Sequence, residues 1–403
     1  MSINRGISNL ILIVSVLIVL TSCGASTSLP LPSPVAPTTA PPTPNPDQRA
    51  TRIAAGFTPT LPPTQTPFPL ASFTPTPGAS HLISADLDPL SGEPLPKDSV
   101  LQRPLLVKLA NWPEESRPPA GINQADMVFE YYIGYQQNHL LALFSSSDTP
   151  RVAPLAPARL PDLVLADLYQ ANLAVASAKP SVEDAFQYTL PDRVAMRGFA
   201  PCPGICNEFP AKGEQTVVDT QALRQYLKNQ QTQHFIPELA VNVFNAEPSE
   251  NSEPAHLLSV QYADFSLMEW HFDHATAKYQ LWQDHEKPDG KYEVIPSSDD
   301  SDQPVAFDNL IVVYCKYIEH DSQTYDLDLR VVGKPGQALF FRDGRVTFGR
   351  WQVPSLSQPI QFRQLDGSLY PLKPGSTWLV FIAEKSKSDQ PNPGEWQIDF
   401  SLK

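Results

Sequence analysis

The sequence has few basic residues, and they are not clustered. Its 403 residues include 29 Lys and Arg against 43 Asp and Glu, which gives a formal net charge of −14. Proteins that bind nucleic acid place grouped lysines and arginines against the backbone phosphates. The charge pattern therefore argues against nucleic acid as a partner, and it provides no basic patch for an anionic lipid surface.

Recognisable catalytic motifs are also missing. The chain contains no G-x-S-x-G nucleophile elbow, no P-loop, no H-E-x-x-H zinc motif and no dinucleotide-binding glycine fingerprint. His271 and His274 do not predict a metal site, because residues three apart on a strand face opposite sides. The acidic run at 297–302 lacks the glycine and terminal glutamate of a calcium loop. The sequence favours a protein that is not an enzyme, and it indicates no cofactor or metal.

Long apolar runs are rare, and the N-terminal one is short. Residues 10–20 are apolar except for one serine, and about 11 residues are too few for a membrane-spanning helix, which needs about 20. The run follows Arg5 and ends in Leu-Thr-Ser before Cys23, the layout of a bacterial lipoprotein signal. A signal anchor and cleavage by an ordinary signal peptidase are the alternatives, and neither needs a cysteine here.

We therefore expect residues 1–22 to be removed as a signal peptide and Cys23 to be acylated. Two acyl chains, at about 0.8 kcal/mol per buried CH₂, hold a protein stably on a membrane. The predicted location is extracytoplasmic, on the outer face of the cell membrane, with the membrane itself contacted through the lipid.

Residues 23–80 are rich in proline and threonine and almost free of charge. Proline fixes φ and removes a backbone donor, so such a tract favours polyproline II and cannot build a packed core. We expect a disordered stalk that holds the rest of the chain away from the membrane. Recognition by a proline-binding partner is the alternative.

The remaining chain changes character near residue 250. Strand-like and helix-like segments alternate from 81 to 250, which predicts a mixed α/β sheet domain. Nearly all segments from 251 to 403 resemble strands, and Asp343-Gly344 and Asp366-Gly367 are strong hairpin signals. The predicted fold class is α+β: an N-terminal mixed α/β domain followed by a β-rich antiparallel C-terminal domain.

Several individual elements can be predicted within these regions. The run 105–109 is typical of a strand. A helix is expected to begin at Pro161 and Asp162, a second to be capped by Ser181, and a third to be capped by Asp219 or Thr220.

Two cysteines lie close together in PCPGICNEFP. Outside the membrane a disulfide between Cys202 and Cys206 is chemically allowed, although the C-x3-C spacing makes the geometry tight. A metal pair is the alternative, but no third or fourth ligand lies nearby in sequence. Cys315, in the apolar run LIVVYCKYI, is expected to be a buried core residue.

An ordered set of motifs resembles the YerB-type lipoprotein family. The first part of the match consists of DPLSGEPL, RPLLVKLAN, SRPPAGINQADMVFEYY and LLALFSSSDTPRVAPLAPAR. The second consists of FDNLIVVYCKY, GQALFFRDGRVTFGRW and YPLKPGSTWLVFI. The resemblance implies a secreted, often lipid-anchored protein with an α/β-type first part and a β-rich second part, and it implies no established reaction.

The chain departs from that family at polar positions. His139 stands where the family pattern has an arginine, and Ala156 replaces the first arginine of the family's GPVRSAR stretch, whereas Arg159 is retained. The other polar residues retained at the matched motifs are Asn111, Arg117, Gln124, Asp126 and Glu130.

These polar residues suggest a ligand cleft. Asp126 and Glu130 are four apart and should point to the same side of a strand. With Arg117 and Arg159 they would line a cleft for a polar ligand, because guanidinium binds carboxylate or phosphate bidentately. Asn111 and His139 complete the candidate set. The alternative is that these residues form ion pairs and turn caps at the edge of a sheet.

Two functions are consistent with the sequence. The favoured one is a non-enzymatic binding or scaffold module of the cell envelope, whose partner is an envelope protein or a glycan. The other is a cell-envelope hydrolase or transferase that uses a carboxylate–arginine cleft. Convergence of the side chains in one pocket would favour the enzyme.

Several aromatic residues of the second half either form a sugar-binding platform or belong to the hydrophobic core. They are Trp270, Tyr279, Trp282, Trp351 and Trp378.

Overall fold

The computed structural model describes residues 86–95, 101–209, 215–231, 237–248, 252–299, 301–321 and 324–403. All of them belong to one compact unit, Phe73–Lys403. The predicted signal peptide (1–22), Cys23 and the predicted stalk (23–80) lie outside the described residues. Among the helices in the described ranges, none combines the length and the apolar character that crossing a membrane requires.

Strands dominate the described residues, and the helices are few. The helices are α1 (Leu160–Leu168), α2 (Pro180–Thr189) and α3 (Thr220–Gln230). The strands before residue 255 are β1 (Leu105–Leu109), β2 (Met127–Gly134), β3 (Gln137–Phe144), β4 (Asn172–Val175), β5 (Val194–Met196), β6 (Ile205–Glu208), β7 (Gln215–Val218), β8 (Val243–Phe244) and β9 (Glu253–Pro254).

The later strands continue to the end of the chain. They are β10 (Leu257–Ala263), β11 (Ser266–Asp273), β12 (Lys278–Glu286), β13 (Tyr292–Pro296), β14 (Ala306–Phe307), β15 (Asn309–Cys315), β16 (Tyr317–Asp321), β17 (Thr324–Leu327), β18 (Gly336–Arg342), β19 (Arg345–Gln352), β20 (Gln361–Gln364), β21 (Pro371–Leu372), β22 (Thr377–Ala383), β23 (Lys387–Asn392) and β24 (Glu395–Asp399).

Strands from both predicted domains lie side by side in one large sheet. Its order is β20-β19-β18-β15-β22-β2-β3-β1-β4-β5, with β9 attached to β19. In this larger sheet β22 runs parallel to β15 on one side and to β2 on the other. The α+β prediction is thus confirmed in its strand-rich character, whereas 81–250 and 251–403 do not form separate sheets.

The burial of the central strands explains this arrangement. Every residue of β15 and of β22 is buried. Strands that are apolar on both faces need a covered layer on each side, as in the interior of a large mixed sheet. The prediction of an antiparallel C-terminal domain is confirmed only in part, because β15 pairs with β18 antiparallel but with β22 in parallel.

A smaller sheet packs on one face of the larger one. Its order is β13-β12-β11-β10-β24-β23, with β14 attached to β12. Buried and partly exposed residues alternate along β10, as in a sheet with one solvated face. Its buried side chains, such as Val260 and Trp270, share a core with Val128 and Trp378 of the larger sheet.

The two faces of the larger sheet therefore have different neighbours. We call the face that packs on the smaller sheet the inter-sheet face; it contains Val128. The opposite face, which contains Phe129 and packs on α1 and α2, is called the helix face. Of the aromatic residues considered as a sugar platform, Trp270, Tyr279 and Trp378 are fully buried, which identifies them as core.

Local predictions can be compared with the elements directly. The strand at Leu105–Leu109 and the Asp219 cap, whose carboxylate accepts from the Ala222 N–H at 2.9 Å, are confirmed. The Ser181 cap is wrong: Lys179 is the N-cap and Pro180 begins α2. Proline suits that first position because its missing N–H would have no partner there.

The Asp343-Gly344 turn is also confirmed. These two residues connect β18 to β19, whose last and first residues pair directly. Both have positive φ, 54° and 69°. A two-residue hairpin turn of this kind requires positive φ at both positions, and Asp-Gly provides it.

Candidate functional site

The residues predicted to line a single cleft lie on two faces of the larger sheet. Successive residues of a strand point to opposite faces, so Glu130 faces the smaller sheet and Tyr131 faces the helices. His139 pairs directly with Tyr131 and shares its face. Arg159 precedes α1 on that same side. The structure therefore does not bring the predicted set together.

Glu130 is buried in the inter-sheet face and fully bonded. Its carboxylate accepts hydrogen bonds from Asn138 Nδ2 and from Trp378 Nε1, both at 2.7 Å. Burial raises the pKa of Glu130, and the hydrogen bonds from these donors oppose the rise. The side chain has no exposed surface, so it cannot meet a ligand directly.

Asn111 and Arg117 connect the two sheets. The Arg117 guanidinium donates from Nε to the Asn111 carbonyl at 2.7 Å and from Nη1 to Asp284 Oδ1 at 3.1 Å. Asn111 itself accepts from Gln283 Nε2 at 3.0 Å. Both residues belong to a structural link between the larger sheet and β12.

Asp126 caps a turn. Its carboxylate accepts from the backbone N–H of Ser145 at 2.6 Å and of Ser146 at 3.1 Å, and also from the Ser146 hydroxyl. Burial raises the pKa of Asp126, while the serine donors lower it. This arrangement matches the turn-cap alternative rather than the cleft.

A different polar cluster occupies the helix face. Lys108 has no exposed side-chain surface, and its Nζ lies 3.3 Å from Asp162 Oδ1. The ammonium also donates to the Tyr131 hydroxyl, which in turn donates to Asp162. Burial lowers the pKa of Lys108 to about 8, and the attraction of Asp162 opposes that shift.

Sequence reasoning missed this cluster. The available signal was a single lysine inside the apolar strand LLVKL, since an ammonium is rarely buried without a partner. Its partner Asp162 lies at the third position of α1, and the sequence around it indicates only that a helix begins there. A buried charge pair of this kind fixes β1 against α1.

The cluster also positions Arg159. The second carboxylate oxygen of Asp162 accepts the Arg159 backbone N–H at 2.7 Å. Nearby, His139 is 6% exposed, and its Nδ1 has no hydrogen-bond partner among the described residues. Burial lowers the pKa of His139 well below its usual value, and Lys108 and Arg159 lower it further. His139 is therefore uncharged at neutral pH.

A cavity opens beside Arg159, which we call the cationic cavity. It is a shallow depression that is partly open to solvent, and its interior volume is about 10 Å³, the space of about one water molecule. Its lining residues are Tyr131, Tyr132, Ile133, Ala158, Arg159, Leu160, Lys179, Val182, Thr324 and Tyr325. Two of them are cationic and none is acidic.

The Arg159 guanidinium has no hydrogen-bond or ion-pair partner within the described ranges, and its Nε is buried. Lys179 reaches across the opening to the Thr324 hydroxyl, 3.2 Å away. Of the predicted cleft residues, Arg159 is the one that lines this cavity.

The two neighbouring cysteines lie apart from the cavity lining. The structure joins Cys202 and Cys206 by a disulfide, with their Cα atoms 4.9 Å apart. Cys315 is free and buried, and burial raises the pKa of its thiol well above the usual value.

Comparison with known proteins identifies the family. Residues 90–233 match the N-terminal domain of a protein of unknown function, DUF3048, and residues 258–379 match its C-terminal domain. The chain belongs to the DUF3048 family. Both DUF3048 regions contribute to the larger sheet, because β2 comes from the first and β22 from the second.

The Bacillus subtilis protein YerB, named as a lipoprotein, is similar to this DUF3048 chain. It is 24% identical over 304 residues, which cover 73% of this chain and 86% of the relative. The crystal structure of YerB matches with a TM-score of 0.59 at 20% sequence identity, over 73% of this chain and 96% of that one. This likeness shows the fold.

The cationic cavity lies at the junction of the two DUF3048 regions. Arg159 and Lys179 come from the N-terminal region, and Thr324 and Tyr325 come from the C-terminal region. The short hairpin of β16 and β17 provides the second wall. A complete cavity therefore requires both regions in one folded unit.

Proposed function

We propose that this DUF3048 protein is an extracytoplasmic, lipid-anchored binding module of the bacterial cell envelope. The observation that carries the proposal is the cationic cavity, in which Arg159 presents a guanidinium without a protein partner. Natural structures pair nearly all buried polar groups, so an exception that faces a cavity indicates a place for a ligand.

The geometry favours binding over hydrolysis or group transfer. A general acid or base must come within hydrogen-bonding reach of the substrate. Glu130 and Asp126 have raised pKa values because they are buried, yet protein donors occupy them and they line no part of the cationic cavity. The proposed module therefore holds its ligand without a carboxylate that could attack or protonate it.

Membrane attachment is proposed through Cys23. The lipoprotein signal in the sequence and the likeness to YerB, itself named as a lipoprotein, support this part of the proposal. Fractionation of cells that express the full chain should place the parent with membranes and a Cys23→Ala variant in the soluble fraction. A variant that stays with the membrane would rule out acylation of Cys23 as the anchor.

Binding can be tested with purified cell-wall glycan. We expect the full chain, purified in detergent, to co-sediment with insoluble glycan, and Arg159→Ala to remain in the supernatant. The matched control is Arg197→Ala, because Arg197 is exposed and does not line the cationic cavity. Equal sedimentation of all three proteins would exclude the cavity as the binding site, and turnover of the glycan would favour the enzyme.

A further inference from the structure

We infer that the cationic cavity binds an oxyanion, a phosphate or carboxylate group carried at the end of a larger envelope molecule. This inference rests on the proposed binding function and names the chemical class of the ligand. The interior of the cavity has space for about one water molecule and is partly open to solvent, so it can receive an oxygen of a terminal charged group held at its opening, but not a polymer segment.

Arg159 is the first element of the site. Its guanidinium is planar and always charged, and its paired N–H donors match two oxygens of a carboxylate or phosphate. Asp162, in the first turn of α1, already accepts from Tyr131 and from the Arg159 backbone, and it lies 3.3 Å from the Lys108 ammonium. The guanidinium is therefore available to an external anion.

Lys179 and Thr324 are placed to complete the coordination. The Lys179 ammonium contacts only a neutral hydroxyl, that of Thr324, and forms no ion pair in the described part of the chain. Together an ammonium, a hydroxyl and a guanidinium give several donors around one small space. Each can donate to an oxyanion, and the two cations supply its counter-charge.

The backbone adds positive potential to the same place. Arg159 precedes α1 and Lys179 precedes α2, so both helices begin at the cavity. Helix N-termini carry a partial positive charge and favour anions. Both helices also have proline in the first turn, and Asp162 already accepts the N–H of the N-cap residue Arg159, so this contribution assists the side chains rather than replacing them.

The surroundings strengthen these interactions. Ile133, Leu160 and Val182 line the cavity with apolar surface, and exclusion of water increases the energy of a charge–charge contact. Glu319 and Asp321 influence Tyr325 from the β16–β17 hairpin but do not line the cavity. On a chain with a net charge of −14, this cavity is a local positive region.

The direct test is titration of the full chain with inorganic phosphate and, separately, with acetate. Both titrations are made at constant ionic strength and pH 7, with chloride as the reference anion and the thermal midpoint as the readout. A ligand that binds only the folded state raises the midpoint as its concentration rises. We expect phosphate, acetate or both to raise it for the parent and for Arg197→Ala.

Arg159→Ala should weaken anion binding by about tenfold or more, since a charge-assisted bidentate contact is lost. Arg159→Lys should retain part of the affinity, and Lys179→Ala should show a smaller loss. An equal response to chloride, or an unchanged response in Arg159→Ala, would overturn the inference. Whichever of phosphate and acetate binds more tightly identifies the ligand group as a phosphate or a carboxylate.

The result separates this inference from the proposed function. If Arg159→Ala loses anion binding but still sediments with envelope glycan, the oxyanion site stands and the envelope contact lies elsewhere. If Arg159 is needed for glycan binding while no anion binds the parent, the binding function stands and the oxyanion inference is wrong.

Discussion

Arg117 and Arg159 were predicted for one cleft, yet the structure uses them in opposite ways. Arg117 lies on the inter-sheet side and donates to Asn111 and Asp284, so its charge is neutralised within the protein. Arg159 lies on the helix side, and its guanidinium ends in a cavity without a partner among the described residues. The difference separates an arginine that joins two sheets from an arginine that is open to a ligand.

The two faces of the larger sheet show the same contrast at larger scale. On the inter-sheet face, Glu130 is satisfied by Asn138 and Trp378 and has no exposed surface. On the helix face, Lys108, Tyr131 and Asp162 satisfy one another, and Asp162 also accepts the backbone N–H of Arg159, whose side chain lines the cationic cavity. The cluster thus holds the backbone of Arg159 in place, while its guanidinium has no partner among the described residues.

The largest expected effect is the loss of Asp162. Asp162→Ala would leave the buried Lys108 ammonium without its counter-charge and the Tyr131 hydroxyl without an acceptor. Removing one partner of a buried ion pair typically costs about 3–5 kcal/mol. Urea unfolding at pH 7 should show a decrease of that size in the free energy of unfolding. The double variant Asp162→Ala/Lys108→Met should recover part of this decrease. A loss below about 1 kcal/mol would mean that the cluster does not support α1.

Arg117→Ala should have the next largest effect. It removes hydrogen bonds to a charged group and leaves the mostly buried Asp284 carboxylate without its cation, which costs about 2–3 kcal/mol. Urea unfolding measures the loss, and anion binding by the cationic cavity should be unchanged. If Arg117→Ala changed the affinity for anions, the two arginines would not have the separate roles described above.

Stability at high pH provides a third test, directed at Lys108. Its pKa is about 8 in the folded protein and about 10.5 in the unfolded chain, so between these values the unfolded state binds more protons. The free energy of unfolding contributed by Lys108 therefore rises with pH across this window, by about 2 kcal/mol from pH 8 to pH 10.

The reference for this measurement is Lys108→Met/Asp162→Asn. Other groups titrate in the same range, including the Cys315 thiol, whose raised pKa makes folding less favourable as the pH rises above about 9. Both proteins share those groups, so the difference between them isolates the lysine. A difference that stays flat from pH 8 to pH 10 would show that folding does not lower the pKa of Lys108.

The sequence could predict features that depend on neighbouring residues. The strand Leu105–Leu109 and the Asp343-Gly344 hairpin are such features, because apolar patterning and turn chemistry are local.

Long-range partners could not be predicted in the same way. Glu130 is bonded to Trp378, 248 residues away in sequence, and no local pattern specifies that pairing. The merging of both halves into one sheet has the same origin, since β2 pairs with β22. Arg159 was among the predicted cleft residues, whereas Lys179 and Thr324 reach its cavity only through the packing of α2 and β17.

The smallest expected effect, and the one that best sharpens the comparison, is that of Arg159→Ala on stability. The guanidinium has no partner to lose, and its charge lies near that of Lys108, whose pKa it lowers. We therefore expect the free energy of unfolding in anion-free buffer to change by less than about 1 kcal/mol, the range of substitutions that break no specific contact. Urea unfolding of Arg159→Ala and Arg117→Ala under identical conditions measures the contrast directly. A loss of about 2 kcal/mol or more at Arg159 would mean that this arginine also serves the fold. A change near zero in the free energy of unfolding, combined with loss of anion binding, would mean that the charge of Arg159 serves ligand binding, because nothing within the described fold depends on it.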